Sequence, residues 1–236
     1  MGLNPVLLAE SIGKSFGTQR VLSSARLEAI AGTITLVAGR NGVGKTTLFR
    51  IVAGTLAADS GFVRFAGRTF ERPKLHRLAR MGLFYLPDRN LFAPFVPLRS
   101  QLQAIIRRFG AGTIDIAVEQ LGIDDLLDYM PRDFSGGELR RSELAAVCIR
   151  RPICLVADEP LRGIDPRDTV LILEFLRTLS AAGCAVVISG HDVAPLMDVA
   201  TNVVWVTAGT TYILGDPACA ANNEHFRKDY MTGRWN

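Results

Sequence analysis

The chain has 236 residues, 48% hydrophobic and 21% charged, enough to bury a sizeable core and too apolar for disorder or a coiled coil to be its main content. Its net charge of +4 is spread out, with no run of about five like charges, so no nucleic-acid partner is expected. There is no uncharged apolar stretch of about 18 residues and no signal-peptide pattern at the start, so any role at a membrane is expected to come through a partner.

Residues 5–10, 21–30 and 61–70 have short, alternating patterns and read as antiparallel edge strands. Residues 33–39 (TITLVAG) are a β-branched apolar run ending in Gly. A glycine-rich turn follows, then a helix over Thr46–Ala53. Between residues 91 and 150 the strand rhythm stops. Pro94 and Pro97 open this stretch, and helical spacing follows over Arg99–Phe109, Ile114–Leu121 and Glu138–Arg150. Strand patterns return at 153–157 (ICLVA) and 185–189 (AVVIS), on either side of an amphipathic helix over 170–180. Residues 203–206 and 211–214 flank a turn at Ala208–Gly209 and read as a hairpin. The expected architecture is α/β: a mostly parallel sheet with antiparallel edges, a P-loop NTPase core by its GRNGVGKT turn at residues 39–46, and a helical subdomain inserted at about 91–150 of a single domain. Cys148, Cys154, Cys184 and Cys219 form no C-x-x-C pair and have no clustered His, so neither a metal site nor a disulfide framework is expected; a reducing cytosol fits.

Residues 39–46 read GRNGVGKT, the full G-x-x-x-x-G-K-[ST] pattern, placed after a strand and before a helix. Gly39, Gly42 and Gly44 let the backbone curl. The N–H groups around Asn41, Lys45, Thr46 and Thr47 then point at phosphate oxygens, helped by the positive end of the helix. Lys45 reaches the terminal phosphates, and the Thr46 hydroxyl is a candidate Mg2+ ligand. Residues 153–159 (ICLVADE) put Asp158 at the end of a buried strand as a second metal ligand. Glu159, one residue on, is placed to act as the general base for water.

Residues 134–138, FSGGE, resemble the LSGGQ signature of the ATP-binding cassette (ABC) family, and stand 24 residues before Glu159 when counted from Ser135. The resemblance spans about residues 6–233. It implies that Ser135, Gly136, Gly137 and Glu138 meet the γ-phosphate of an ATP held by a second chain, so that a homodimer or pseudo-dimer sandwiches two ATP. It implies that Phe16 stacks on adenine, that Asp165 in GIDP lies at the dimer seam, and that His191 in ISGHD touches the γ-phosphate and orients water. The cofactors implied are ATP and Mg2+. The partners implied are integral membrane permease subunits, with the chain peripheral on the cytoplasmic face. The apolar segment Leu91–Leu98 is then a candidate contact surface. The tail, Asn223–Trp235, looks like that of the lipopolysaccharide-export and branched-chain amino-acid branch. One departure stands out: Asp88, in YLPDRN, occupies the Q-loop position where the family carries Gln. A full charge there either binds Mg2+ more strongly or repels the γ-phosphate. Two alternatives stay open: a soluble ABC ATPase of assembly, translation or repair, and a nucleotide-gated subunit with low turnover.

Overall fold

The computed structural model describes residues 4–89, 91–110 and 112–230. In chain order, the first half holds β1 (Leu7–Phe16), β2 (Gln19–Ala29), β3 (Ile34–Ala38), α1 (Lys45–Val52), β4 (Ser60–Phe65), β5 (Arg68–Phe70), α2 (Leu75–Arg80) and β6 (Leu83–Leu86). Then come α3 (Leu98–Phe109), α4 (Ile114–Leu121), α5 (Gly136–Arg150), β7 (Cys154–Ala157), α6 (Pro166–Ala181) and β8 (Ala185–Gly190). The chain closes with α7 (Ala194–Met197), β9 (Asn202–Thr207), β10 (Thr210–Gly215), α8 (Pro217–Asn222) and α9 (Glu224–Tyr230).

The strands form one sheet in the order β5-β4-β1-β2-β10-β9-β3-β8-β7-β6. β1, β2, β4 and β5 pair antiparallel, while β6, β7, β8, β3 and β9 run parallel. The expected hairpin is present: β9 and β10 pair antiparallel around Ala208 and Gly209, both at positive φ. The two halves of the sheet meet through a single parallel register pair, Thr210 with Ser24.

Alternation along the parallel strands feeds two cores, one on each face. Leu36, Leu155 and Ile188 point into a core built with α3 to α6, where they meet Leu102, Leu121, Leu144 and Leu176. Their neighbours Val37, Val156 and Val187 point the other way, onto Leu48, Phe49 and Val52 of α1 and onto Leu22 and Leu27 of β2. These strands are therefore buried on both faces, which explains why they read as continuous apolar runs.

Capping chemistry sets the helix starts. Asp165 accepts from the N–H groups of Arg167 and Asp168, and Pro166 follows as the first helical residue, so α6 begins earlier than the apolar spacing alone predicted. Ser135 caps α5 in a reciprocal box with Glu138, moving that helix start to Gly136. α3, α4 and α5 all lie in the chain between β6 and β7. β6 and α2 were not expected from the pattern. β6 has four residues, none of them β-branched, and gains its strand character from parallel pairing with β7.

The parallel register places four loops on one edge. Ala38 pairs with Gly190, Ala157 with Ile188, and Leu86 with Ala157. The turns after β3, β6, β7 and β8 thus emerge side by side, carrying residues 39–44, 87–89, 158–159 and 191–192.

Candidate active site

The turn between β3 and α1 is held open by backbone geometry. Gly44 precedes the first residue of α1 with φ +109°, and a Cβ there would lie 2.9 Å from the Leu22 side chain. Only glycine meets both demands. Lys45 is 5% exposed, and its Nζ donates to the Gly39 carbonyl at 2.6 Å and the Arg40 carbonyl at 3.2 Å. Burial lowers the Lys45 pKa, opposed by the charges of Glu159 and Asp158. The ammonium is therefore curled over its own loop, above carbonyls that an incoming anion would replace.

Asp158 is fully buried at the end of β7. Its Oδ1 accepts from the Ser189 hydroxyl at 2.7 Å, and Ser189 Oγ in turn accepts from the Glu159 N–H at 2.9 Å. Asp158 Oδ2 is buried with no hydrogen-bond partner. Burial raises the Asp158 pKa first of all, with Asp88 and Glu159 adding to the rise and the Ser189 and Thr46 hydroxyls opposing it. A buried carboxylate oxygen without a donor, beside a threonine hydroxyl, suits a hard divalent cation. Ser189 carried no signal in the sequence, since a serine near the end of a strand is common. In the structure it ties the two acidic residues together. Ser189→Ala is expected to cost about 1–3 kcal/mol of stability, because a buried carboxylate oxygen loses its donor; urea unfolding at constant slope measures it.

Glu159 sits at φ +49°, an uncommon value for a side-chain-bearing residue. Its carboxylate is mostly buried. Oε1 lies 3.9 Å from Lys45 Nζ, and Oε2 lies 3.1 Å from His191 Nδ1. The structure thus brings together the candidate base, the loop lysine and the histidine after β8. They line a cavity of about 480 Å³ with Asn41, Gly42, Gly44, Thr46 and Thr47. Val21 and Arg162 complete the wall, and neither was singled out from sequence.

The remaining candidates lie elsewhere. Phe16 is 50% exposed at the end of β1, with the Lys14 ammonium 5.5 Å from its ring centre. Ser135 and Gly136 are exposed at the start of α5, while Gly137 is packed against Asp168, so tightly that a Cβ would lie 1.7 Å from its Oδ2. Glu138 does not point outward: its carboxylate accepts from Ser135 N–H at 2.8 Å, which lowers its pKa. Asp165 is exposed and occupied with capping α6. Asp88 does not line the cavity. Its carboxylate pairs with Arg162 at 3.0 Å.

The Asp88 loop is gripped from behind by α5. Arg140 donates to the Pro87 and Asp88 carbonyls at 3.1 and 3.0 Å, and pairs with Glu143 at 2.9 Å, both side chains buried. Glu143 also accepts from Leu91 N–H at 3.4 Å. The apolar segment 91–98 divides: Phe92 and Leu98 are buried, while Phe95 and Val96 are exposed. An apolar groove of about 430 Å³ runs beside it, lined by Leu75, Leu83, Phe84, Leu91, Ile105 and Phe109 among others. Among the described residues, no helix is long and apolar enough to cross a membrane, and no cluster of His, Cys, Asp or Glu could hold a metal by itself.

A parallel sheet with a phosphate-type loop after β3 and paired acidic residues after β7 defines a P-loop nucleoside triphosphatase. The profile of the family described as ABC transporter matches residues 22–162. The chain is 30% identical to the lipopolysaccharide export system ATP-binding protein LptB of Haemophilus influenzae, over 96% of this chain and 97% of that one. It is 32% identical to the zinc import ATP-binding protein ZnuC of Halorhodospira halophila, over 95% and 83%. In fold it is similar to the ADP conformation of MJ1267, an ATP-binding cassette of an ABC transporter, with a TM-score of 0.83 at 21% identity, over 97% and 99% of the two chains. The chain belongs to the ABC transporter family, as its ATP-binding and ATP-hydrolysing subunit. Residues 224–230 of the tail form α9, packed through Phe226 on Trp205; the rest of the compared tail, residues 231–235, lies outside the described residues.

Proposed function

We propose that two copies of this chain clamp two ATP molecules, each held between the Lys45 loop of one copy and the Ser135 turn of the other. The observation that carries this is separation. Ser135 and Gly136 are exposed at the start of α5, and neither lines the cavity formed by Lys45, Glu159 and His191 in the same chain. The capping box occupies the N–H groups of Ser135 and Glu138, which leaves those of Gly136 and Gly137 at the helix start to meet an anion, here one held by the other copy.

Within each site, the N–H groups of residues 41–47 and the Lys45 ammonium hold the phosphates. Glu159 takes a proton from the attacking water, and His191 holds Glu159 and the γ-phosphate region in register. Thr46 and Asp158 would hold Mg2+, which neutralises phosphate charge when bound. Phe16 is the stacking platform for the base, and Asp165 faces the partner across the seam. Hydrolysis removes the bridging γ-phosphate, so the pair opens.

The pull is passed to a membrane permease on the cytoplasmic side. The route supported here is mechanical: α5 carries Ser135 at its start and, through Arg140 and Glu143, grips the loop that leads into the apolar groove. The groove suits a short helix from the permease.

Mixing tests the composite site. Lys45→Ala and Ser135→Arg chains are each expected to be inactive alone. Mixed, half of the pairs are mixed pairs with one intact site, so ATP hydrolysis recovers to roughly a quarter of the native level. No recovery would mean that each chain works by itself.

A further inference from the structure

The phosphate cavity contains an arginine that the motifs do not assign. Arg162 lines it beside Glu159 and His191, and its Nη1 lies 3.0 Å from Asp88 Oδ2. The two residues reach each other because β6 and β7 are parallel neighbours whose loops leave the same edge. Arg162 is locally fixed: its N–H donates to the Glu159 carbonyl at 3.1 Å, closing the turn that follows the candidate base. Asp88 is fixed from the other side by Arg140, which holds its carbonyl at 3.0 Å.

We propose that Arg162 is a positioning residue that cancels the charge of Asp88, so that an acidic side chain in this loop is compatible with a triphosphate. This rests on the nucleotide-site reading above. Two negative groups already act on Lys45, their chief counter-charge: Glu159, which lines the cavity, and the buried Asp158. Asp88 adds a third, and its field reaches the buried Asp158. Left alone, it would repel the terminal phosphate, which carries the most charge and lies nearest the hydrolytic residues. A guanidinium in contact removes most of that field. Both partners are partly exposed, so the pair contributes little to stability. Its effect falls on which nucleotide is held.

A double-mutant cycle tests this: native chain, Arg162→Ala, Asp88→Asn and the double variant. Equilibrium affinities for ATP and ADP are measured with EDTA present, so that neither metal nor turnover enters. Arg162→Ala is expected to weaken ATP binding about tenfold and ADP binding less than about threefold, since one close charge pair controls the term. In the Asp88→Asn background the same replacement is expected to change ATP affinity less than about twofold. Arg162→Lys, which keeps the charge, restores most of the loss. Unchanged thermal midpoints show that the variants fold. Equal losses for ATP in both backgrounds would show that Arg162 grips phosphate itself, and would overturn the proposal. So would no loss at all. Failure of the unmodified chain to bind ATP would overturn the nucleotide site and this pair with it.

Discussion

Glu159→Gln is expected to keep ATP affinity within about threefold of native and to lower turnover by about 10²–10⁴-fold, the range for loss of a positioned general base. The substitution keeps length and shape. The backbone at φ +49° and the donor bond from Glu159 N–H to Ser189 depend on the main chain, so they survive. What is lost is a carboxylate that can accept a proton from water beside His191. With ATP bound and uncleaved, paired chains should accumulate, visible as a dimer on size-exclusion chromatography with ATP and Mg2+. A variant that hydrolyses ATP at the native rate would remove Glu159 from the catalytic role.

Arg140→Met is expected to destabilise the fold by about 3–5 kcal/mol, because Glu143 is left as an uncompensated buried charge. Burial already pushes the Glu143 pKa up and the Arg140 pKa down, each opposed by the other's charge. Replacing both, as Arg140→Met with Glu143→Leu, should recover much of the stability, since an apolar pair of similar volume suits a buried site. Denaturant midpoints at constant slope measure both effects. Activity should not follow stability. The Pro87 and Asp88 carbonyls lose their donor in either variant, so coupling between α5 and the following loop stays broken even where folding is restored. A double variant with native coupled turnover would show that the grip is structural only.

The candidate active-site loops were legible because their chemistry is local. Gly39–Thr46 encodes a turn through residues that only that turn requires, and Asp158–Glu159 follows a run of apolar residues that can only be buried. The parallel strands β3, β7 and β8 were legible for the same reason. β6 was not. Leu83–Leu86 is too short to show a period, and Gly82 and Pro87 leave it looking like a linker; its partner strand makes it a strand. Ser189 and Arg162 were invisible for a related reason. Each acts on a residue 31 or 74 positions away, Asp158 and Asp88 respectively, and only the strand order brings them together. The starts of α5 and α6 were written in Ser135 with Glu138 and in Asp165 with Pro166, yet apolar spacing pointed further along. Caps outrank periodicity at helix ends because a free N–H costs more than one misplaced apolar residue.

At the seam between the two halves of the sheet only Thr210 is in register with Ser24, and beside that pair the antiparallel layer is tethered by one main-chain bond, Ser23 N–H to Gly209 O, and two through threonine hydroxyls, Arg26 N–H to Thr211 Oγ1 and Thr210 Oγ1 to Ser24 O. Gly44 is wedged against Val21 and Leu22 on the far side of that seam. Amide exchange should therefore show two cooperative blocks, and the glycine turn should report the opening of the weaker one. A triphosphate seated in that turn would work as a rivet across both blocks, and its arrival should slow exchange through β1 and β2 as well as in the loop itself.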